Sequence, residues 1–537
     1  MIYFNLLIIP KFLLFISSVC ASIKYKDGRE NEVADILKKA SNLASTTDIA
    51  PEKYDQFLLK YHLSSIRSNA IRHLNFKGLD VLELGAGMGA CSRFIAENAA
   101  HLTALEGTEE RMNSLRERLR DLNNWDGIVS NYQDFKTDKK YDVVCFFGVF
   151  EYAGLYIDSV NPFEHALNLA KSFLKEDGVL LITIENKNGL KYFAGLSEDH
   201  HPLPYYGICG YPETNDTKTF SKKEMVDMLK KCGLSFTDIH HLAPDYKLTK
   251  AVMTDEFVQN RPIVAANIMS NYPFEDYYRK TKEKFQTKLS SVSLAKSGLI
   301  GEFSNSYLFI SSPIRDSKVK KSLLKFVEDG KVSSFLYTHG RKNNIVTKFI
   351  KNNNDYIVHK EWLTTEPKDQ DKRSFVKNKF VDTPLYDDLD LKYLFLNYAY
   401  YGKKKEYMSL LFKYVKFIFD EYKTNDDSIL KKEVFDALPN NAIFKNDQFF
   451  LLDEKHEVLF DITKEFFLFH LVLNDFKELK PFLKSFGFKT LKDLYKYLCR
   501  KFGIKPKIKR CAKLESSIYK ELFGKSWEIK NILADLN

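Results

Sequence analysis

Apolar and polar positions between Glu32 and Glu185 follow two alternating periods. "EVADILKKASNLA" and "YDQFLLKYHLSSIRSNAIRHL" have helical spacing, and the short apolar runs "LDVLELG", "LTALEG", "YDVVCFFG" and "GVLLITIE" are separated by further helical segments. Repeated alternation of strand and helix is typical of a parallel sheet covered by helices on both faces. We therefore predict an α/β fold with a Rossmann-like sheet and flanking helices.

The pattern changes along the rest of the chain. After Glu185 it is loop-rich as far as Thr219, and a partly helical insertion from Asp255 to Gly301 precedes a last strand, "SNSYLFISSP". Polar residues then follow Pro313, and 537 residues are too many for one ordinary core. We predict an apolar N-terminal segment, a sheet domain, a second α+β domain and a basic helical C-terminal region, at residues 1–23, 32–313, 320–480 and 481–537.

The N-terminal segment, "MIYFNLLIIPKFLLFISSVCASI", is about long enough to cross a bilayer. No basic residue precedes its apolar run, whereas Lys24, Lys26 and Arg29 follow it, which favours a cytoplasmic location for the body of the protein. Three interpretations stay open: a membrane anchor, a signal peptide for the secretory pathway, and a start codon assigned too far upstream. We expect the protein at the cytoplasmic face of a membrane or in the cytoplasm.

Cysteine and charge patterns narrow the chemistry. The seven cysteines form no CxxC pair and no Cys/His cluster at zinc-ligand spacing, so we predict reduced thiols and no metal site. Part of the net charge of +10 lies in "CRKFGIKPKIKRCAK", from Cys499 to Lys513. This stretch is either a solvated basic face or a contact surface for anionic lipid headgroups or phosphorylated substrates.

The stretch "VLELGAGMGAC" places glycines at every second position after a strand. Its spacing, E-x-G-x-G-x-G, differs from the G-x-G-x-x-G of dinucleotide sites and favours S-adenosylmethionine (SAM) over NAD. Gly85, Gly87 and Gly89 permit a close approach of the backbone to a ligand. Glu83 is placed to accept from the amino end of that ligand.

Two further acidic residues follow the next apolar runs. Glu106, in "LEGT", is expected to accept from the ribose hydroxyls, and Asp134, in "NYQDF", from the adenine amino group. Open α/β sheets bind their ligands at the carboxyl ends of the strands, so these side chains should meet in one crevice. The sequence therefore predicts a SAM site there.

At this point the sequence resembles a known family. "VLELGAGMG", "LEGT", "FFGVFEYA", "IENKNGLKYFAGLSEDHH", "TFSKKEM" and "PDYKL" are similar to motifs of the class I SAM-dependent methyltransferases of bacterial surface-polysaccharide (O-antigen-type) biosynthesis. The first motif is generic, whereas ENKNGLKYFAG, EDHH and PDYK are particular to the family. The resemblance covers about residues 32–313. It implies methyl transfer from SAM to a sugar hydroxyl or phosphate of a glycan or glycolipid.

The resemblance also implies a catalytic group. A neutral hydroxyl acceptor needs a general base, and His200, beside Asp199 in "EDHH", is the first candidate, with His201 the second. Glu151, in "FFGVFEYA", is expected to contact the methyl donor or acceptor. A structural role remains the alternative for His200 and Glu151.

Other positions are expected to bind the acceptor or to close over the cofactor. Asp245, Tyr246 and Lys247 would clamp a charged acceptor, and His62 and Arg67 lie on a helix predicted to cover the cofactor. Methyltransferases that act on nucleic-acid bases usually carry an [DN]PP[YF] element where this chain has "FGVFEY". We therefore expect no nucleic-acid partner.

Relatives of this family often continue into a kinase-like domain, and the second half has a partial match to one. "DYIVHKEWL", "VFDALPNNAIF" and "FFLLDEK" follow the order of kinase elements, but the glycine-rich loop and the usual His-Arg and Phe-Gly pairs are absent. We predict a degenerate domain that holds substrate, membrane or a partner, and that binds ATP and Mg²⁺ only if it is active. Its remnant residues would be Lys360, Asp436, Asn441 and Asp453.

Two rival functions stay open. One is a methyltransferase that acts on a protein or a small metabolite, and the other is a non-catalytic scaffold that binds SAM. Retained affinity for SAM would argue against most non-catalytic scaffolds. Methyl incorporation into a glycolipid fraction, rather than into protein, would separate the glycan methyltransferase from the methyltransferase that acts on a protein.

Overall fold

The computed structural model describes most of the chain after the apolar N-terminal segment. The described residues are 25–26, 28–212, 216–274, 276–277, 281–329, 331–338, 344–364, 376–378, 380–452, 456–523 and 526–537. The predicted N-terminal segment 1–23 and Asp453 lie outside them. Within these residues, none of the helices combines the length and the apolar character that a membrane span requires.

Strands occur throughout the described part of the chain. In chain order they are β1 (Asp80–Leu84), β2 (His101–Glu106), β3 (Trp125–Val129), β4 (Tyr141–Phe147), β5 (Leu174–Glu185), β6 (Phe236–Ala243), β7 (Ala251–Thr254), β8 (Ser306–Ser312), β9 (Val332–Thr338), β10 (Ile345–Asn352), β11 (Asp355–Trp362), β12 (Val376–Asn378), β13 (Thr383–Pro384), β14 (Ile429–Leu430), β15 (Ala442–Lys445), β16 (Gln448–Leu451), β17 (His456–Val458) and β18 (Ile462–Thr463).

Helices cover the sheet and form most of the C-terminal part. They are α1 (Glu30–Lys39), α2 (Phe57–Leu63), α3 (Ser92–Asn98), α4 (Glu109–Leu119), α5 (Ala153–Tyr156), α6 (Pro162–Ser172), α7 (Leu190–Phe193), α8 (Lys222–Lys231), α9 (Asp255–Asn260), α10 (Pro262–Ser270), α11 (Thr287–Lys296), α12 (Lys318–Leu323), α13 (Lys325–Glu328), α14 (Leu391–Tyr400), α15 (Lys404–Glu421), α16 (Lys464–Asp475), α17 (Leu491–Lys501), α18 (Ile508–Phe523) and α19 (Ile529–Leu536).

The first five strands form a parallel sheet in the order β3-β2-β1-β4-β5. Successive residues of β1 point to opposite faces, so Val81 joins the apolar core on one face, whereas Leu82 and Leu84 join the core on the other. Both faces are thus covered, as a sheet built from strand–helix alternation requires. The predicted α/β, Rossmann-like architecture is confirmed.

The sheet continues beyond its parallel part as antiparallel strands. β8 lies between β5 and β6, and β7, β9, β10, β11 and β13 extend the sheet to twelve strands within the described residues. The pairing of β7 with β9, which sets Ala251 opposite Leu336, crosses the domain boundary predicted near Pro313. Strands from both predicted domains therefore share one hydrogen-bonded sheet.

The C-terminal part has an apolar core of its own. Helices α14 to α19 bury side chains such as Leu411, Phe467, Leu498 and Ile532 against one another. The amphipathic C-terminal helices pack onto this core, while basic side chains between α17 and α18, including Lys505, are exposed. The six cysteines of the described residues are free thiols, as predicted.

Candidate active site

A cavity of about 590 Å³ opens at the carboxyl ends of β1, β2 and β4. The loop between β1 and α3 forms one wall, and Gly85, Gly87 and Gly89 all have positive φ, at 75°, 59° and 80°. A Cβ on Gly85 would lie 2.7 Å from both methyl groups of Val149. The glycines therefore allow a turn that residues with a side chain would disfavour.

Glu106 is fixed at the end of β2 by backbone donors. Its Oε2 accepts from the N–H of Gly87 at 2.8 Å, and its Oε1 accepts from the N–H of Thr108 at 3.1 Å. The side chain is buried and lines the cavity. Oε1 also accepts from the hydroxyl of Thr108 at 3.3 Å, whereas Oε2 keeps a lone pair for a further donor, which suits a ribose hydroxyl.

Glu83 also lines the cavity, at the end of β1. Its Oε2 accepts from Oγ of Ser92 at 2.5 Å, and burial raises the pKa of its carboxyl to about 7. Burial disfavours the charged form of a carboxylate because water no longer solvates it. Glu83 therefore titrates near neutral pH.

We expect the affinity for SAM to rise about eightfold from pH 6 to pH 7.5, as the fraction of ionised Glu83 rises. With a pKa of about 7, Glu83 is mostly neutral at pH 6, and only the carboxylate attracts the ammonium group of the ligand. Calorimetric titrations across this range test the expectation. A Glu83→Gln variant should show a flat profile, and a flat profile in the unaltered protein would place Glu83 away from the ammonium.

The structure places the predicted adenine-binding residue outside the cavity. Asp134 is exposed and is not among the residues that line the cavity, whereas Ser130 and Asn131 are. Asn131 is oriented by its amide, which donates to the carbonyl of Tyr156 at 2.9 Å. Asn131 follows the end of β3, a strand that the apolar pattern did not reveal.

His62 and Arg67 both line the cavity. Arg67 is buried and donates to the carbonyls of Tyr246 at 3.0 Å and Phe147 at 3.1 Å, and to the hydroxyl of Tyr61 at 3.0 Å. It thereby joins the short 3₁₀ helix Ser65–Ala70 to the end of β4 and to the PDYK segment. These contacts fix the 3₁₀ helix Ser65–Ala70 against the walls of the cavity.

The three elements particular to the resembling family meet in one buried ionic network. Lys191 of NGLKYFAG contacts both oxygens of Asp199 of EDHH, at 2.9 and 2.8 Å. Lys247 of PDYK contacts Asp199 at 2.6 Å and also forms an ion pair with Glu185. Asp199 and Lys247 line the cavity that Glu106 lines, so the network lies beside the predicted cofactor site.

Asp245 and Tyr246 have different positions in this region. Asp245 accepts from the backbone N–H groups of Lys247 and Leu248 and, at 2.6 Å, from the hydroxyl of Tyr277. It is not among the residues that line the cavity, and these contacts shape the PDYK turn. Tyr246 lines the cavity and donates to Glu151 at 3.1 Å.

Glu151 and His200 lie behind the cavity wall. Glu151 is fully buried, and burial, with Glu185 beside it, raises the pKa of its carboxyl to about 7. Nδ1 of His200 lies 3.1 Å from the hydroxyl of Tyr152, which lines the cavity. Burial disfavours the charged form of His200, but Glu185 outweighs burial and raises the pKa of His200 to about 9.

Sequence reasoning missed Glu185, although a usable signal existed. Glu185 is the last residue of β5, and the carboxyl ends of parallel strands carry functional side chains in this class of fold. His201, the second candidate base, turns its Nε2 to the carbonyl of Thr217 at 3.3 Å. His200, and not His201, thus lies beside Glu151 and Glu185 in the polar region behind the cavity.

The described kinase-like remnant residues lie in the second half. Lys360 is buried on β11, opposite Thr347 of β10. The side-chain amide of Asn441 donates to the backbone carbonyl of Asp436 at 3.0 Å, within the turn that holds both residues. A kinase-like nature of this half stays a prediction.

Comparison with known families adds one match. Residues 65–294 match the family model described as mycolic acid cyclopropane synthetase, a class I SAM-dependent methyltransferase family. No curated protein sequence matches the chain. The matched segment begins at the 3₁₀ helix that holds Arg67 and contains the glycine loop, Glu106 and the buried ionic network.

Several solved structures that resemble parts of the chain are methyltransferases. A SAM-dependent methyltransferase of Thermotoga maritima, possibly a histamine N-methyltransferase, has 13% identity over 51% of this chain and 100% of its own, with a TM-score of 0.29. The N-methyltransferase NodS of Bradyrhizobium japonicum, in complex with S-adenosylhomocysteine, has 16% identity over 30% of this chain and 75% of its own, with a TM-score of 0.20. The family match and the sheet support a SAM-dependent methyltransferase with SAM as its cofactor.

Proposed function

We propose that the protein transfers a methyl group from SAM to a hydroxyl or phosphate oxygen of a glycan or glycolipid. The observation that carries the proposal is the buried network of Lys191, Asp199 and Lys247. It unites the elements that resemble the polysaccharide methyltransferases, and it borders the cavity lined by Glu106.

The charged wall of the cavity suits a polar acceptor. Asp199 and Lys247 present an acidic and a basic group to the same space. An acceptor rich in hydroxyls can form hydrogen bonds with these groups, whereas an apolar chain cannot. The wall therefore favours a sugar or phosphate over hydrocarbon.

Methyl transfer to an oxygen requires mainly correct positioning. The acceptor oxygen forms a bond to the methyl carbon as the carbon–sulfur bond breaks, and the electron pair of that bond goes to sulfur. A phosphate oxygen needs no base, and a hydroxyl must lose its proton. His200 does not line the cavity, so direct contact with the acceptor falls to Asp199 and Lys247.

An apolar lipid chain is a second candidate acceptor. The family model that matches residues 65–294 is named for the modification of a lipid, and aromatic side chains, including Phe57, Tyr61 and Tyr277, line part of the cavity. The exposed basic residues near Lys505 suit either acceptor, because they would hold the protein at an anionic membrane surface. In this proposal the second half helps to hold the acceptor and carries out no phosphoryl transfer.

Calorimetric titration of SAM into the full chain tests the cofactor site. We expect binding in the micromolar range, on the order of −8 kcal/mol. Glu106→Ala should weaken it at least about tenfold, because a hydrogen bond to a charged group contributes about 1.5–3 kcal/mol. Asp134→Ala, which removes an exposed carboxylate outside the cavity, is the matched control.

The affinities of the two variants show which of the two residues contacts SAM. A loss in Asp134→Ala with none in Glu106→Ala would contradict the assignment of Glu106 to the ribose and show that Asp134 contacts SAM. Absence of SAM binding would contradict the proposed cofactor site and favour a non-catalytic protein that keeps only the fold.

Radiolabelled methyl groups identify the acceptor. The full chain is incubated with methyl-labelled SAM and a membrane extract, which is then separated into glycan, glycolipid, fatty-acid and protein fractions. We expect label in the glycan or glycolipid fraction, in a form that survives removal of the acyl chains. Label that leaves with the fatty acids would support the lipid candidate, and label in protein would support the rival methyltransferase.

A further inference from the structure

Three buried donor atoms converge behind the cavity wall. One donor atom of each of Glu151, Glu185 and His200 lies within 4.8 Å of the other two. Oε2 of Glu151, Oε2 of Glu185 and Nε2 of His200 are buried and make no hydrogen bond within the described part of the chain. Glu151 and Glu185 have no exposed surface at all. Such buried groups normally have a partner, so the convergence requires an explanation.

Each of the three side chains is held by its other polar atom. The partners are the hydroxyl of Tyr246 at Oε1 of Glu151, the ammonium of Lys247 at Oε1 of Glu185, and the hydroxyl of Tyr152 at Nδ1 of His200. These contacts fix the orientation in which the remaining donor atoms face one another. Outer contacts of this kind orient the ligands of metal ions in proteins.

Hydrogen bonds among the three atoms do not account for the arrangement. Nε2 of His200 lies 3.5 Å from Oε2 of Glu185, an ion-pair contact that is longer than an ordinary hydrogen bond. In the tautomer whose Nδ1–H donates to Tyr152, Nε2 carries a lone pair. A cation at this site would displace the proton that the Glu185 carboxylate favours on His200, and would then contact two carboxylate oxygens and one imidazole nitrogen.

With the carboxylates ionised and His200 neutral, as metal binding requires, the buried side chains nearby carry an excess of negative charge. Four carboxylates, those of Glu151, Glu185, Asp199 and Asp245, stand against the ammonium groups of Lys191 and Lys247. Buried charge is costly unless it is paired or bound to a metal. One divalent cation at the three donor atoms would balance this excess.

We propose that Glu151, Glu185 and His200 form a binding site for a divalent metal ion, Zn²⁺ or Mn²⁺, beside the cofactor cavity. One imidazole and two carboxylates suit these ions. Bonds of about 2.1 Å place donor atoms about 3–4 Å apart, so small side-chain shifts close the site around an ion. The sequence-based expectation of no metal rested on Cys/His spacing, which this set does not use.

The catalytic role of the ion rests on the proposed function, but its binding does not. Tyr152 and Tyr246, which hold two of the ligands, line the cavity. An ion directly behind them would polarise an acceptor oxygen that enters between their rings. A role of this kind replaces that of general base for His200.

Metal titration of the full chain tests the site without SAM or acceptor. The protein is treated with a chelator, freed of it, and titrated calorimetrically at pH 8 with ZnCl₂, MnCl₂ and, for comparison, MgCl₂. We expect one Zn²⁺ or Mn²⁺ per chain with a micromolar dissociation constant. Glu185→Gln and His200→Asn should each weaken binding at least about thirtyfold. Electron paramagnetic resonance of bound Mn²⁺ provides a second readout.

A surface pair supplies the matched control. His359 and Asp382 form a contact of 2.8 Å between a histidine and a carboxylate on the exposed surface, so Asp382→Asn should leave the affinity unchanged. Thermal unfolding with and without the metal shows whether each variant is folded. If Glu185→Gln fails to fold, the metal affinity of His200→Asn, which keeps both carboxylates, is used to test the site.

Two results would overturn the site. One is an unaltered protein that binds neither ion, which would leave a proton on His200 as the compensating charge. The other is equal binding by His200→Asn and Asp382→Asn. If the protein binds the metal but transfers no methyl group, only the proposed function is contradicted. If SAM-dependent methyl transfer is unaffected by complete removal of the metal, only the catalytic role of the ion is contradicted.

Discussion

Replacing Lys247 by methionine is expected to destabilise the protein by about 3–5 kcal/mol, the usual result of removing one partner from a buried ion pair. Lys247 contacts both Asp199 and Glu185, whose side chains are almost wholly buried. Methionine has a similar length but no charge, so packing is largely kept while the carboxylates lose a partner. Since each kcal/mol shifts the melting temperature of a domain of this size by about 2–4 °C, we expect a decrease on the order of 10 °C.

Lys223→Met is the matched control for this experiment. Lys223 pairs with Asp227 at 2.5 Å, but its side chain is 80% exposed, and such pairs contribute about 0–1 kcal/mol. Thermal unfolding in the presence of a chelator compares the two variants. The deficit of Lys247→Met should narrow as the pH falls, because an unpaired buried carboxylate takes up a proton. Equal melting temperatures would show that the network does not depend on Lys247.

Replacing Gly148 by alanine is expected to destabilise the protein by about 2–5 kcal/mol and to impair SAM binding. Gly148 follows β4, lines the cavity and has a φ of 74°. A Cβ there would overlap the ring of Tyr246, 2.5 Å from Cε2 and in contact with Oη. Tyr246 is buried and bound to Glu151, so it has little freedom to move away.

Gly78→Ala separates steric overlap from backbone strain. Gly78 has a φ of 79°, close to that of Gly148, but nothing lies within 4 Å of a Cβ placed on it. The Gly78→Ala variant should therefore be destabilised only by backbone strain, by about 1–2 kcal/mol, and its affinity for SAM should be unchanged. Unfolding and calorimetric titration of both variants measure the difference. If the two variants behave alike, the ring of Tyr246 does not hold the cavity wall in the way we describe.

The parallel sheet and the cofactor loop could be predicted because their signals are local. Strands β1, β2, β4 and β5 are buried on both faces and appear as continuous apolar runs. Strand β3 is an edge strand with exposed positions, so its apolar signal is weak. Without this strand, Asp134 was chosen as the site residue, although it lies outside the cavity, whereas Asn131 lines the cavity.

The polar cluster behind the cavity could not be predicted as a set. Glu151, Glu185 and His200 are far apart in sequence, and only the fold brings them together. His200 and Glu151 came from motifs, whereas Glu185 resembles any acidic residue at the end of a strand. The continuation of the sheet through β9 was also missed, because a pairing between β7 and β9 leaves no pattern in either strand.

The shared sheet has a consequence for the order in which the protein is made. Strand β7 leaves the ribosome before its neighbour β9, and the intervening chain takes on the order of 4–15 s to synthesise. During that time the backbone N–H and C=O groups along one edge of β7 have no neighbour, and such an edge can pair with another nascent chain. Slow translation of residues 255–331 would lengthen this period, so the yield of folded protein should depend on codon usage and chaperone supply in that stretch.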